Sequence, residues 1–97
     1  MRSRTTRRDF LRMMGAAAGV AAGATLLDVR TPSEYEARHL EGATLIPVDE
    51  VASRLAEIPR DHPVVVYCRS GSRSARAAAV LEEAGYDVYD LGSIDNW

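Results

Sequence analysis

Cys68-Arg69-Ser70-Gly71-Ser72-Arg73 is the stretch of this 97-residue chain in which residue types and spacing could do chemistry. A cysteine is a nucleophile as thiolate rather than thiol, so the surroundings that would ionise it matter most. Before Cys68 runs Pro63-Val64-Val65-Val66-Tyr67, a continuous β-branched segment of the kind buried on both faces of a parallel sheet. After the loop comes an alanine-rich helix, 74–84, with Gly85 as its C-terminal stop signal. Ligands of open α/β sheets bind beyond the carboxyl ends of the strands, which is where this cysteine falls. Backbone amides curling round the sulfur, with the positive end of the helix, make an anion nest that favours the thiolate. Thiols in such settings ionise at ~3.5–7.5 instead of ~8.5.

The neighbours of Cys68 extend that reading. Gly71 lets the backbone turn tightly enough for amides to converge. Ser70 and Ser72 contribute amides of their own, and Arg69 and Arg73 bring two permanent charges that can pair with a dianionic substrate. A lone cysteine at a strand end also packs as a small hydrophobe. That accounts for Cys68 but not for two arginines, two serines and a glycine in the next five positions. Arg76 reads as a solvated helix-face charge and Arg69 could be one. Ser70 and Ser72 also serve as ordinary loop residues, and Ser74 as a helix cap.

Other chemistries are closed by composition. One cysteine excludes an internal disulfide, a multi-cysteine zinc site and an iron–sulfur cluster, and two histidines make no histidine-rich metal centre. The sequence calls for no cofactor. All 12 basic residues are arginine, which excludes a lysine Schiff base or lysine general base. Residues 25–97 hold seven arginines against 13 acids, a formal −6, which argues against nucleic acid as a partner.

Residues 1–24 have a different character. Five arginines stand there against Asp9 alone, and Arg7-Arg8-Asp9-Phe10-Leu11 precedes a weakly apolar run of 12 residues ending Ala22-Gly23-Ala24. Charged segment, short apolar segment and small-residue cleavage site in that order resemble a twin-arginine export signal. The apolar run is shorter than the ~20 residues a bilayer crossing needs. We therefore expect 1–24 to be removed after delivery by the twin-arginine machinery, leaving no stable membrane anchor. The domain, 25–97, would work in the periplasm or another extracytoplasmic space.

The elements that must hold the loop follow from local pattern. Leu26-Leu27-Asp28-Val29 is a strand, with Thr31-Pro32-Ser33 opening a short helix for which Ser33 is the expected cap and Glu34 and Glu36 the acidic first turn. Thr44-Leu45-Ile46 is a second strand stopped by Pro47. Val51, Leu55 and Ile58 repeat at helical spacing up to Pro59, which predicts a helix over 50–58 capped by Asp49. The helix after the loop should pack through Ala77, Val80, Leu81 and Ala84. The last strand is expected over 86–91, with Gly92 opening the terminal turn. The alternation β–α–β–α–β–α–β predicts an α/β fold with a mostly parallel sheet of about four strands and helices on both faces.

With these blocks laid out, the chain resembles the rhodanese family of single-domain sulfurtransferases over nearly all of 26–97. The resemblance lies in Leu27-Asp28-Val29-Arg30 with Glu34-Tyr35, His39-Leu40-Glu41-Gly42-Ala43, Ile46-Pro47, Val65 to Ser74, and Leu91-Gly92 with Trp97. Cys-x-x-Gly-x-Arg is its most specific element, and the export signal brings to mind the short periplasmic members related to the phage-shock protein. Relative to the family the domain is short at both ends, Arg38 stands where a glycine is usual, and Ser93 replaces the second of two glycines. The resemblance implies a thiosulfate:cyanide sulfurtransferase, in which Cys68 takes the outer sulfur of a small anionic donor such as thiosulfate. The resulting persulfide would pass that sulfur to cyanide or another thiophilic acceptor. By position, the amides of residues 69–73 would hold the anionic sulfur and Arg69 and Arg73 the sulfonate end of the donor. Asp28 and Arg30 would tie the first strand to the helix carrying Glu34, and His39 would pack rather than catalyse. Two alternatives stay open: a non-catalytic persulfide carrier or binding module, and a cysteine-dependent phosphatase or arsenate reductase on the same fold. The loops of that last class are generally one residue longer between cysteine and arginine.

Overall fold

A computed structural model describes residues 24–96. All but the final residue of the expected export signal lies outside the described residues, as does Trp97. Four parallel strands, β1 (Thr25–Asp28), β2 (Thr44–Leu45), β3 (Val64–Cys68) and β4 (Val88–Ser93), form one sheet in the order β2-β1-β3-β4. Helix α1 (Pro32–Ala37) follows β1, and α2 (Ser72–Glu83) follows β3. The expected α/β architecture is the one observed.

β3 is central and every residue of it is buried, as its unbroken apolar run requires. Alternation sends Val64, Val66 and Cys68 to the face covered by α2, where they pack with Leu27, Ala77 and Leu81. Val65 and Tyr67 face the other way, against Leu26, Leu91 and Ile94, with Tyr35 of α1 and Leu40 closing that layer. Small side chains at Ala77 and Ala78 form the buried stripe of α2 together with Ser74 and Leu81, while Val80 and Ala84 pack at its margin. Gly85, at φ 97°, ends α2 in the left-handed conformation a side chain would resist. Its N–H donates to Glu82 O at 3.0 Å and that of Tyr86 to Leu81 O at 3.0 Å, which satisfies the helix's last carbonyls.

Three local expectations are corrected. The cap of α1 is Thr31 and not Ser33, because Pro32 occupies the first helical position and holds the preceding residue extended. The Thr31 hydroxyl accepts from Glu34 N, and the Glu34 carboxylate accepts from Thr31 N at 2.9 Å. Residues 50–58 do not form a helix but two 3-10 turns, Val48–Glu50 and Leu55–Glu57. Val51 and Ile58 are buried as the spacing implied, but the Ser53 hydroxyl and amide both donate to Glu50 O, and Asp49 pairs with Arg76 instead of capping. The last strand runs 88–93 and not 86–91. Tyr86 is engaged by the turn after α2, and its hydroxyl donates to Ile58 O at 2.7 Å. Gly92 does not open a turn. The register passes from Val66↔Asp90 to Tyr67↔Gly92, so Leu91 is the extra residue of a bulge, and Gly92 supplies the positive φ of 81°.

A buried polar network joins the two central strands. Asp28, fully buried, accepts from Arg30 Nε at 2.9 Å and from the Tyr67 hydroxyl at 2.7 Å. The Tyr67 oxygen accepts from Leu40 N at 3.0 Å, and Arg30 Nη2 donates to Arg38 O at 2.6 Å. Asp28 and Arg30 thus tie β1 to the end of α1, as expected. Burial, then the bond to Asp28, pushes the Tyr67 hydroxyl's ionisation well above its ordinary range. Tyr67→Phe strands the Leu40 amide and removes one of the bonds to Asp28, whose oxygens keep Arg30, and chemical denaturation should show it less stable by about 1–3 kcal/mol.

Candidate active site

Cys68 is the last residue of β3, and α2 starts four positions later at Ser72. Gly71 between them is the N-cap of α2 at φ 107° and has no side chain to offer the helix's unpaired amides. The sulfur takes that role. Gly71 N–H donates to Cys68 Sγ at 2.9 Å, and the amides of Ser70 and Ser74 also bond to it. Ser74 is the third helical residue, whose N–H an N-cap side chain usually accepts, so Cys68 caps α2 in place of the side chain Gly71 lacks.

Ser74 contributes its hydroxyl as well. Its Oγ lies 3.5 Å from Sγ and donates to Gly71 O at 3.1 Å. With Cys68 as thiol, the S–H donates to Oγ; with Cys68 as thiolate, the hydroxyl turns to donate to sulfur. Burial is the largest influence on Cys68 and pushes its pKa up. The Ser74 hydroxyl and the amides of Ser74, Gly71 and Ser70 together outweigh it, and the net direction is down from the ordinary thiol value. Both Cys68 and Ser74 are 0% exposed, so the ionised sulfur is stabilised by fixed dipoles instead of water.

The two loop arginines have different surroundings. Arg73 is half-buried and donates to both carboxylate oxygens of Glu34, at 2.7 and 3.0 Å. That pairing, first, then the backbone bond from Thr31, holds the Glu34 carboxyl down at about 2. Arg73 therefore braces the start of α2 against α1. Arg69 is exposed and, among the described residues, alone of the arginines in having no carboxylate or carbonyl partner. It faces a recess of about 300 Å³ that Arg30, Glu34, Arg38, Ile94 and Asp95 also line. Ser70 and Ser72 are exposed on the loop. A larger recess of about 540 Å³ opens at the amino end of β1, beside Thr25 and Glu41, away from the thiol.

Of the five residues from Arg69 to Arg73, Ser70 and Gly71 bond the sulfur through their amides and Arg73 feels its charge, while Arg69 and Ser72 lie exposed beside them. His39 sits apart, stacked on Tyr35 at 3.8 Å with Nδ1 2.7 Å from Tyr35 O, in the packing role expected of it. Sequence reading missed Ser74 as a partner of the sulfur and Glu34 as the partner of Arg73. The available signal for Ser74 was a serine on the buried stripe of an otherwise alanine-faced helix.

Two outcomes follow from this geometry. The rate of Cys68 alkylation against pH should reach its plateau with a midpoint below that of a free thiol, and Ser74→Ala should shift the midpoint upward. Glu34→Gln should lower stability at neutral pH by about 1–2 kcal/mol in chemical denaturation, through loss of the charged bonds to Arg73 and the α1 cap. Because the folded-state pKa of Glu34 is depressed from 4.5 to about 2, its contribution is complete above pH 4.5 and lost as pH falls through about 2. The difference between wild type and variant should shrink over that window.

The chain matches the family model described as "Rhodanese-like domain" over residues 6–97. It is 42% identical over 76 residues to the uncharacterized protein YqhL of Bacillus subtilis, covering 76% of this chain and 60% of the relative. It is also 42% identical over 62 residues to the thiosulfate sulfurtransferase PspE of Escherichia coli, covering 62% of this chain and 60% of that one. The chain thus spans less than two thirds of the length of either curated relative. The human single-domain sulfurtransferase TSTD1 superposes with a TM-score of 0.79 at 25% identity, over 98% of this chain and 95% of that one. A parallel four-stranded sheet, a cysteine capping the helix that follows the central strand, and these similarities together place the chain in the rhodanese-like domain family.

Proposed function

We propose that this protein is a sulfurtransferase that carries a sulfane sulfur on Cys68, with thiosulfate as donor and cyanide or another thiophile as acceptor. One observation carries the reading: a buried sulfur on which the donors of Gly71, Ser70 and Ser74 converge, in a loop that also carries Arg69, an arginine without an acidic or carbonyl partner among the described residues. In the first half-reaction the Cys68 thiolate attacks the outer sulfur of thiosulfate. An S–S bond forms at Cys68 as the donor's own S–S bond breaks, and sulfite leaves with the electron pair. In the second, cyanide attacks the outer sulfur of the persulfide, thiocyanate departs, and the thiolate returns. No side-chain general base is invoked, because the converging donors favour the thiolate form of the nucleophile.

Arg69 takes the sulfonate end of the donor, and the amides that bond the sulfur, those of Ser70, Gly71 and Ser74, hold the charge of the persulfide. Arg73 positions the loop through Glu34. Since Cys68 is enclosed, access for the donor requires movement of side chains around the loop, of which Arg69 and Ser70 are exposed. A phosphate ester would call for a bidentate guanidinium on its oxygens, and both Nη groups of Arg73 are committed to Glu34, which favours sulfur over phosphate or arsenate. The same persulfide would serve a carrier that delivers sulfur to a protein partner, and turnover with cyanide separates the two roles.

Purified 25–97 treated with thiosulfate should gain the mass of one sulfur atom, lose it on addition of cyanide, and release thiocyanate. Cys68→Ser should abolish all three, and Arg69→Ala should raise KM for thiosulfate by about tenfold or more, the scale of one charge-assisted contact. Intact mass and a thiocyanate assay read these outcomes. Sulfur loading without thiocyanate would indicate the carrier, whereas phosphatase activity without loading would indicate the third class.

Export belongs to the same proposal. The paired Arg7-Arg8, the short apolar run and Ala22-Gly23-Ala24 support delivery by the twin-arginine route to the periplasm or an equivalent space. Replacing Arg7 and Arg8 together by lysine should retain the precursor in the cytoplasmic fraction; unchanged delivery counts against the route.

A further inference from the structure

The donors that converge on Cys68 Sγ are of two kinds. The amides of Ser70, Gly71 and Ser74 are set by the backbone and keep their direction whatever the sulfur carries. The Ser74 hydroxyl differs, because it has one proton and two acceptors within reach. These are Cys68 Sγ at 3.5 Å and Gly71 O at 3.1 Å. Turning from one to the other is cheap. Gly71 O also accepts from Ala75 N at 3.1 Å, so it keeps a bond when the hydroxyl leaves it. Cys68 and Ser74 are both fully buried, which leaves the proton to these two acceptors.

Sulfur transfer changes what that proton meets. In the free thiolate the negative charge is on Sγ. In the persulfide the charge resides on the outer sulfur, and Sγ becomes a neutral sulfur, a weak acceptor. A hydroxyl donating to Sγ therefore holds the thiolate more strongly than the persulfide, and its proton returns to Gly71 O once Cys68 is loaded. An interaction that is stronger in one state than in the other alters rate and partition, whereas a uniform one does not.

Resting on the sulfurtransferase reading, we propose that Ser74 is a catalytic residue of the second half-reaction, in which its hydroxyl stabilises Cys68 as the leaving thiolate and sets the fraction of protein that rests loaded. As cyanide bonds to the outer sulfur through its lone pair, the S–S bond to Cys68 breaks and its electron pair collects on Sγ. The Ser74 hydroxyl turns from Gly71 O to donate to the growing charge, and its proton stays on oxygen. During loading the same bond is given up, as Sγ uses its electron pair to bond the donor's outer sulfur. The hydroxyl thus assists discharge and restrains loading.

The test uses the full chain, equilibrated with a fixed ratio of thiosulfate to sulfite at a pH where alkylation shows wild type and variant both fully ionised. Intact mass reads the loaded fraction. Ala77 and Ala78 already lie on the buried stripe of α2, so Ser74→Ala suits its surroundings. It should raise the equilibrium constant for loading about tenfold, the scale of one hydrogen bond to a charged group. Single-turnover discharge by cyanide should slow about threefold or more, with no slowing of loading by thiosulfate. Ser74→Thr, which keeps a hydroxyl on the same carbon, should bring both values back toward wild type. A residue that merely shapes the loop would slow loading and discharge together and leave the equilibrium constant where it was. That result, or an unchanged constant and discharge rate in Ser74→Ala, overturns the role of Ser74 while leaving sulfur transfer intact. If wild type gains no sulfur from thiosulfate, the sulfurtransferase reading falls and this role falls with it.

Discussion

The sulfur of Cys68 is the cap of helix α2, and most of the molecule can be understood as maintaining that contact. Helix caps are usually hydroxyls or carboxylates from the residue just before the helix. Here that residue is Gly71, whose left-handed conformation turns the chain back toward the strand end and whose missing side chain leaves the first amides open. A cysteine from the preceding strand fills the vacancy. The bond is worth most when the sulfur is charged, so the structural need to satisfy amides and the chemical need for a thiolate point the same way. Burial opposes ionisation, and the donors prevail because several of them converge on one atom.

Holding that convergence requires the strand end and the helix start to stay in fixed relation. The buried alanines of α2 let the helix approach β3 closely, and the turn at Gly85 stops it before the chain enters β4. On the opposite face, the Asp28–Arg30–Tyr67 network locks β1 to β3 next to Cys68. Glu34 links the two layers, capping α1 with one set of bonds and gripping Arg73 with another. A carboxylate serving both ends is ionised far into acid, which keeps the brace intact wherever the thiolate itself persists.

Where local physics alone decides, the sequence was readable. A five-residue apolar run is a buried strand, a glycine after an alanine-rich helix ends it, and Cys-x-x-Gly-x-Arg between them marks a nest; each reading stands in the fold. Misreadings arose where two local signals competed. Ser33 is a good cap, but Pro32 moved the helix start forward to Thr31. Val51 and Ile58 are spaced for a helix and are buried, yet Ser53 captures the carbonyl that a helix would need. Gly92 has the conformation of a turn residue but spends it on a bulge. Ser74 was missed for another reason: its importance depends on Gly71 being the cap, and only the register of the first helical turn reveals that.

Arg69 and Arg73 show most clearly what a motif leaves undecided. They are the same residue four positions apart in one loop, and charge alone assigns both to the substrate. Their separation comes from α1, where the Thr31-Pro32 start fixes Glu34 at the one place from which its carboxylate meets both Nη groups of Arg73. An arginine so held has a fixed position and neutralised charge, which suits it to framing a loop. Arg69, without an acidic or carbonyl partner among the described residues, keeps its attraction for an arriving anion but has no imposed geometry. Division of labour between them thus follows from a helix cap about 40 residues upstream, and a chain with the same loop but no acid at position 34 would distribute its charges differently.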